Sequence, residues 1–176
     1  MNWWKIAKTG KGVEQVIKHR LRSSPFFVAL FQKHNVPLDA LDGLSISVAP
    51  LDGVYCKASE DQIIIDSDLV KSKELFGPKF HYIAHEILHW LKRQVEKEHY
   101  FADPEEVESF NTAIAYFIHD WQENGQTGTL SEAIKKEFLS LIQITIKNDA
   151  AARKFLIKRM KDAKRLLSDM SLCNSS

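Results

Sequence analysis

The sequence predicts an α+β fold: a small three-stranded antiparallel sheet packed on one helix, with helices before it and a helical extension after it. Residues 44–49 alternate between apolar and polar side chains, and two further short strand-like segments follow at 54–58 and 62–66. Turn residues separate the three segments, which favours an antiparallel meander. Apolar residues at helical spacing flank the sheet on both sides, and such a sheet needs a helical layer on its apolar face.

Composition limits the classes of function. The chain has 176 residues and a formal net charge of +1, so its overall charge does not indicate a nucleic-acid or membrane partner. We predict a core with N-terminal helices over residues 1–128 and a helical extension over 129–176 that packs on the core. Two cysteines far apart in sequence do not form a disulfide framework, and no apolar run indicates a signal peptide or a membrane span. We therefore expect a cytoplasmic protein.

Local signals define the helices before the sheet. Apolar residues at helical spacing predict one helix over Val13–Arg22, and Ser24-Pro25 supplies a cap and a first-turn proline for a second over Phe26–His34. After the sheet, Gly77-Pro78 precedes a helix that we expect to run to about Glu98.

The stretch His85-Glu86-Ile87-Leu88-His89 lies within this last helix. In a helix, residues i and i+4 share a face one turn apart, so both imidazoles can reach one zinc ion. Glu86 can then act as general base toward a water on the metal. The motif alone is short, and a chance occurrence is the alternative.

A catalytic zinc ion usually needs a third protein ligand. His81 lies two turns from His89, roughly 12 Å at 1.5 Å per residue, so one straight helix cannot supply all three ligands. In the next predicted helix, Glu105 and Glu106 suit a capped first turn, and Glu105 is expected to point away from the apolar stripe. Glu108 has no capping role and borders the buried face, so we predict it as the third ligand. A solvent-exposed helix glutamate is the alternative for Glu108.

The motif His85-Glu86-x-x-His89, followed by Asp103-Pro104-Glu105-Glu106-Val107-Glu108-Ser109-Phe110 at a helix start, resembles the gluzincin metallopeptidases. It is most similar to the small single-domain minigluzincins, many of them phage-encoded or bacterial, and the resemblance covers roughly residues 40–122. Ser109 stands where alanine is commoner in such families. The resemblance implies a zincin-like α+β fold, a zinc ion and hydrolysis of peptide bonds.

The predicted mechanism is zinc-dependent hydrolysis of a peptide or protein substrate. His85, His89 and Glu108 hold Zn²⁺, and Glu86 takes a proton from the attacking water. The substrate extends along an edge strand of the sheet, although the sequence does not say which strand. Four side chains remain open as further transition-state donors: Tyr55, Tyr82, Tyr116 and His119.

Two other functions remain open. The metal could stabilise a non-catalytic binding domain, although such a site has no use for Glu86. Alternatively, the chain could be a helical interaction module that uses its basic last helix, predicted over Ala150–Met170. That helix has an apolar seam for packing on the domain or for a homodimer, and nucleic acid is not the expected partner because aromatic residues do not interleave its cations. The basic residues opposite the seam are Arg153, Lys154, Lys158, Arg159, Lys161, Lys164 and Arg165.

Overall fold

A computed structural model of the chain describes residues 10–59, 61–72, 74–95 and 103–172. The fold is α+β and mostly helical, with one small sheet among the described residues. Its contacts group into two compact units, one ending at Ser109 and the other beginning at Phe110. The division into a core over 1–128 and an extension over 129–176 stays a prediction. Within the described ranges, no helix is both long and apolar enough to cross a membrane.

Two helices open the described chain, as predicted. Helix α1 runs over Gly10–Ser23 and helix α2 over Pro25–Lys33. Pro25 stands at the first turn of α2, where its missing N–H costs nothing. Apolar side chains of both helices are buried, and a short 3₁₀ helix over Leu38–Gly43 leads into the sheet.

The sheet contains strands β1 (Ser45–Ala49), β2 (Cys56–Ala58) and β3 (Gln62–Asp66) in the spatial order β1-β3-β2. Strands β1 and β3 are parallel, whereas β2 pairs with β3 in the antiparallel direction. The predicted antiparallel sheet is therefore wrong, and the sheet is mixed. The turn residues after β1 do not fold the chain back onto β1; they carry it past the end of β3 to the opposite edge.

Asp66, the last residue of β3, holds this crossing connection in place. Its carboxylate accepts hydrogen bonds from the backbone N–H of Leu51 at 2.8 Å and of Asp68 at 2.8 Å, and its own N–H donates to the carbonyl of Tyr55 at 2.8 Å. It also accepts from Leu69 N–H at 3.3 Å and so caps the short helix α3 (Ser67–Lys71). These backbone donors, with that of Leu51 contributing most, lower the pKa of Asp66.

The remaining elements are helical. Helix α4 (His81–Val95) carries the histidine motif and α5 begins at Asp103 and ends at Glu123. Residues 96–102, where α4 was predicted to end near Glu98, lie outside the described residues. Helices α6 (Leu130–Thr145) and α7 (Asp149–Asp169) complete the fold.

One residue of the predicted basic face of helix α7 is not exposed to solvent. Leu156, Ala163 and Leu167 are buried as the apolar seam requires. Arg159, expected on the solvent side, is only 5% exposed, and its guanidinium pairs with Asp162 at 3.0 Å and lies over the ring of Phe155. The expectation for Arg159 is therefore wrong, because the long apolar stem of arginine can be buried while its charge finds a local partner.

We predict that Asp66→Ala destabilises the protein, because it leaves backbone donors of the crossing connection and of α3 without their acceptor. Asp66→Asn should destabilise less, since asparagine caps helices almost as well. Urea unfolding of the three proteins at neutral pH measures this order. An unchanged unfolding midpoint for Asp66→Ala would contradict the role assigned to the carboxylate.

The pH dependence follows from the sign of the shift. The pKa of Asp66 is lower in the folded than in the unfolded chain, so its stabilising effect is present at neutral pH. That effect is lost as the pH falls through the folded pKa, below the ordinary aspartate range. The stability difference between wild type and Asp66→Asn should therefore shrink on acidification.

Candidate metal centre

The two histidines of the motif converge, as the helical spacing predicts. His85 and His89 lie one turn apart on α4, with ring centroids 5.0 Å apart. Their Nε2 atoms are separated by 3.2 Å. His89 is almost fully buried, whereas the side chain of His85 keeps 21% of its surface exposed. The Nε2 atoms of the two histidines therefore face the same space, between buried His89 and partly exposed His85.

Glu106, from the first turns of α5, adds a carboxylate to the pair. One of its oxygens lies 3.2 Å from Nε2 of His89, and the other lies 3.4 Å from Nε2 of His85. Hydrogen bonds to His85 and His89 hold the pKa of Glu106 far below its usual range. Among the described residues, His85, His89 and Glu106 form the group whose donor atoms could share a metal ion, all within 4.8 Å of one another.

The spacing of these donors fits a zinc ion. Zinc binds imidazole nitrogen and carboxylate oxygen at about 2.0–2.2 Å, so two ligand atoms at a tetrahedral angle are ~3.3 Å apart. The two Nε2 atoms are 3.2 Å apart, and Glu106 places one carboxylate oxygen 3.2 Å from His89 Nε2 and its other oxygen 3.4 Å from His85 Nε2. Two imidazoles and one carboxylate are also a ligand set typical of catalytic zinc. The donor set is therefore one that zinc uses, and the ligand atoms of the three residues all lie within 4.8 Å of one another.

Glu105 fixes the orientation of His89. The side chain of Glu105 is largely buried, and its Oε1 lies 2.6 Å from Nδ1 of His89. A carboxylate at this distance accepts the Nδ1 proton, so neutral His89 keeps its lone pair on Nε2, the atom that faces His85 and Glu106. Glu105 was predicted to point away from the apolar stripe, but that side of α5 is not solvent-exposed at this position, because Glu105 is buried against His89.

Glu108, the predicted third ligand, does not join the cluster. Its carboxylate pairs with the ammonium group of Lys92, which lies on α4 beyond His89. The prediction assumed that α5 has one buried face, marked by its apolar stripe. In the structure every residue from Thr112 to His119 is buried, and at the start of the helix Glu105 is buried as well, so the apolar stripe does not identify the side that faces the histidines.

His81 stays outside the cluster, as the distance along the helix predicts. Its side chain is 1% exposed and its ring lies 4.3 Å from that of Tyr82.

The four candidate transition-state donors lie in different places. The ring of Tyr82 lies 4.8 Å from the ring of Tyr55, the residue before β2. Two other candidate donors belong to the second unit: Tyr116 donates to Asp120 at 3.3 Å, and burial lowers the pKa of His119.

The electrostatics locate Glu86 relative to the cluster. Burial acts to lower the pKa of His89, but hydrogen bonds to Glu106 and Glu105 and the charge of Glu86 raise it overall. Burial raises the pKa of the Cys56 thiol on β2, and the charge of Glu86 adds to that shift. The charge of Glu86 therefore acts both on His89 of the cluster and on Cys56 of strand β2.

Comparison with known proteins does not supply a function. No protein-family model, curated protein or solved structure gives a significant match to the chain. The resemblance to gluzincins stays a prediction, and any functional proposal has to come from the residues of the cluster.

Zinc affinity separates the two glutamates that could complete the site. We predict that Glu106→Gln weakens zinc binding about a hundredfold or more, because it removes a charged ligand. Glu108→Gln, the matched control on the same helix, should change the affinity by less than about tenfold, since it affects a pairing with Lys92. Competition with a chromophoric chelator measures both constants. A larger loss in Glu108→Gln than in Glu106→Gln would contradict the ligand assignment.

Glu105 should act on the affinity through His89. We expect Glu105→Gln to lower zinc affinity roughly 10–100-fold, the usual effect of removing a carboxylate partner from a ligating histidine. Circular dichroism should show the same helical content as in the wild type. An affinity equal to that of the wild type would show that the contact with His89 does not orient the ligand.

Proposed function

We propose that the chain is a zinc-dependent peptidase in which His85, His89 and Glu106 hold the metal and Glu86 is the general base. The observation that carries this proposal is the convergence of the three donor atoms. Glu86 follows His85 in sequence, and its charge contributes to the raised pKa of His89. A site with a purely structural ion has no use for a carboxylate at this position, whereas hydrolysis requires one.

The proposed chemistry divides between the metal and the protein. A bound zinc ion supplies Lewis acidity, which acidifies a water molecule and polarises the carbonyl of the scissile bond. Glu86 accepts the proton of the attacking water and delivers it to the leaving amine. Glu105 keeps His89 in the tautomer and orientation that ligation requires. His85 and Glu106, the more exposed members of the cluster, leave it open to a substrate.

The sheet offers one strand edge to a substrate beside α4. Strand β2 packs against α4, and within the described part of the chain it pairs only with β3. The bonds Ser59 N–H to Gln62 and Asp66 N–H to Tyr55 set the alternation of the antiparallel ladder. In that register the backbone groups of Cys56 and Ala58 point away from β3, although the two residues are only 8% and 6% exposed, so an extended peptide that reached this edge would pair with them. We therefore propose β2 as the strand that pairs with the substrate.

Aromatic contacts support a path from this strand to the metal ligands. Tyr55 immediately precedes β2, and Tyr82 lies about one turn before His85 on α4. Their rings are 4.8 Å apart, and the side chain of Tyr55 is 48% exposed. A peptide paired with β2 would therefore run beside two aromatic rings as it approaches the histidines.

Glu86→Gln is the direct test of catalysis. We predict that it keeps wild-type zinc content and lowers peptide cleavage about 100-fold or more, because general-base catalysis contributes roughly 10²–10⁴-fold. Lys92→Gln serves as a control on the same helix. Zinc content is measured by metal analysis and cleavage by mass spectrometry of a degenerate peptide library. Full cleavage by Glu86→Gln would remove Glu86 from the mechanism.

Backbone pairing with β2 can be tested without changing the protein. A tripeptide hydroxamate inhibitor should lose affinity when one amide that pairs with the outward groups of Cys56 or Ala58 is N-methylated. One lost hydrogen bond corresponds to about 0.5–1.5 kcal/mol, or roughly two- to tenfold in the inhibition constant. N-methylation at the neighbouring amide, which faces away from the strand, is the control. Equal inhibition constants for all three compounds would exclude pairing with β2.

A further inference from the structure

A groove runs between helices α6 and α7 of the second unit. Its volume is about 480 Å³, within the range of ligand-binding sites. On α6 it is lined by Ser131, Lys135 and Leu139, which recur every four residues and so form one stripe. On α7 the lining extends from Arg153 to Lys164, a length of about 16 Å at 1.5 Å per residue. The groove therefore has the length of two to three helical turns.

The floor of the groove is apolar and accessible. Leu139, Leu156, Ile157 and Met160 contribute the apolar side chains. Leu156 is buried, whereas the side chain of Ile157 is 55% exposed. An apolar side chain of another molecule could therefore reach the floor from solvent.

The rim carries charge of one sign. Lys135, Arg153, Lys161 and Lys164 line the groove, and no acidic residue belongs to its described lining. Lys135 and Arg153 pair with Glu132 and Asp149 of their own helices at 2.7 and 2.8 Å. These pairs are largely exposed, so a competing carboxylate can replace them at little cost. Charge complementarity therefore favours an anionic occupant.

We propose that this groove binds an acidic amphipathic helix of a partner protein. The cations are spread along α7, from Arg153 to Lys164, rather than gathered at one end. A single head group with a hydrocarbon chain would use only some of them, whereas a helix with acidic residues on both sides of an apolar stripe matches the full length. Helices dock into such grooves through apolar anchors at i, i+3, i+4 and i+7. The proposal uses no residue of the metal cluster and is independent of the peptidase proposal.

A designed peptide tests the groove in the full-length chain. The probe is a fluorescein-labelled 18-residue helix with leucine at i, i+3, i+4 and i+7 spacing and glutamate on both flanks. The comparison peptide keeps every leucine and carries lysine in place of glutamate. Fluorescence anisotropy should give a dissociation constant in the tens of micromolar for the acidic peptide and binding at least tenfold weaker for the basic one. No binding of the acidic peptide, or equal binding of both, would overturn the proposal.

Charge reversal on one helix locates the binding site. Lys161→Glu with Lys164→Glu changes two groove cations and should weaken acidic-peptide binding at least tenfold. Lys154→Glu with Lys158→Glu is the matched control, because it changes the same charge on exposed residues of α7 outside the groove. An equal loss in both double variants would show nonspecific charge attraction and overturn the proposal. Ile157→Asp should also weaken binding, which separates the apolar floor from the rim.

Three other possible occupants of the groove can be distinguished from an acidic helix by experiment. Sedimentation could reveal a concentration-dependent dimer that is lost in Lys161→Glu with Lys164→Glu, which would assign the groove to a second copy of the chain. Tighter binding of duplex DNA, or of phosphatidylserine vesicles, than of the acidic peptide at the same salt concentration would assign it to those partners. Each of these results would replace the acidic-helix proposal.

Discussion

The contact between the start of α5 and helix α4 is the interaction on which the candidate site depends. A single helix can bring two histidines to one ion, so the third ligand must come from another element. Three carboxylates of α5 contact α4: Glu105 at His89, Glu106 at both histidines and Glu108 at Lys92. In the proposed zinc site the first of these contacts would orient a ligand and the second would complete the donor set, while the third pairs the two helices beyond the motif. The loss of this contact would leave two histidines without a third ligand.

The same contact explains how charged groups are accommodated near the core. A buried carboxylate is costly unless it is paired and hydrogen-bonded, and Glu105 meets that requirement through His89. The strong lowering of the Glu106 pKa has the same origin, since two imidazoles face one carboxylate. A group of this kind has little value for stability compared with an apolar contact of the same size. This arrangement is what the proposed zinc site requires, because a metal ion uses several such donors at once.

The sequence predicted the parts of the site that depend on one helix. The spacing of His85 and His89 placed both on one face of α4, and the rise per residue excluded His81 from the cluster. The sequence did not predict which glutamate of α5 faces the two histidines. The apolar stripe of α5 suggested one buried face, but α5 is buried on all sides over 112–119, and Glu105 near its start is buried against His89. Which face meets α4 depends on tertiary packing, and the sequence pattern carries no signal for it.

The prediction of an all-antiparallel sheet was wrong for a related reason. Local alternation predicted the three strands, and two of them pair as an antiparallel hairpin. The parallel pairing of β1 with β3 depends on the path of residues 50–55. Two hydrogen bonds fix that path: Leu51 N–H donates to the carboxylate of the distant Asp66, and Asp66 N–H donates to the carbonyl of Tyr55. Turn residues indicate that the chain changes direction, but they do not indicate which strand the next segment will pair with. Asp66 also has no distinguishing pattern in sequence, although it holds both the connection and the start of α3.

The assignment of Glu106 as the third ligand is tested most directly by zinc X-ray absorption on cysteine variants. Thiolate sulfur binds zinc at about 2.3 Å, well separated from nitrogen and oxygen at about 2.0–2.1 Å. The wild type should show a nitrogen and oxygen shell with imidazole scattering. Glu106→Cys should add sulfur at the longer distance, and Glu108→Cys should leave the spectrum unchanged. A sulfur shell in Glu108→Cys and none in Glu106→Cys would contradict the site described here.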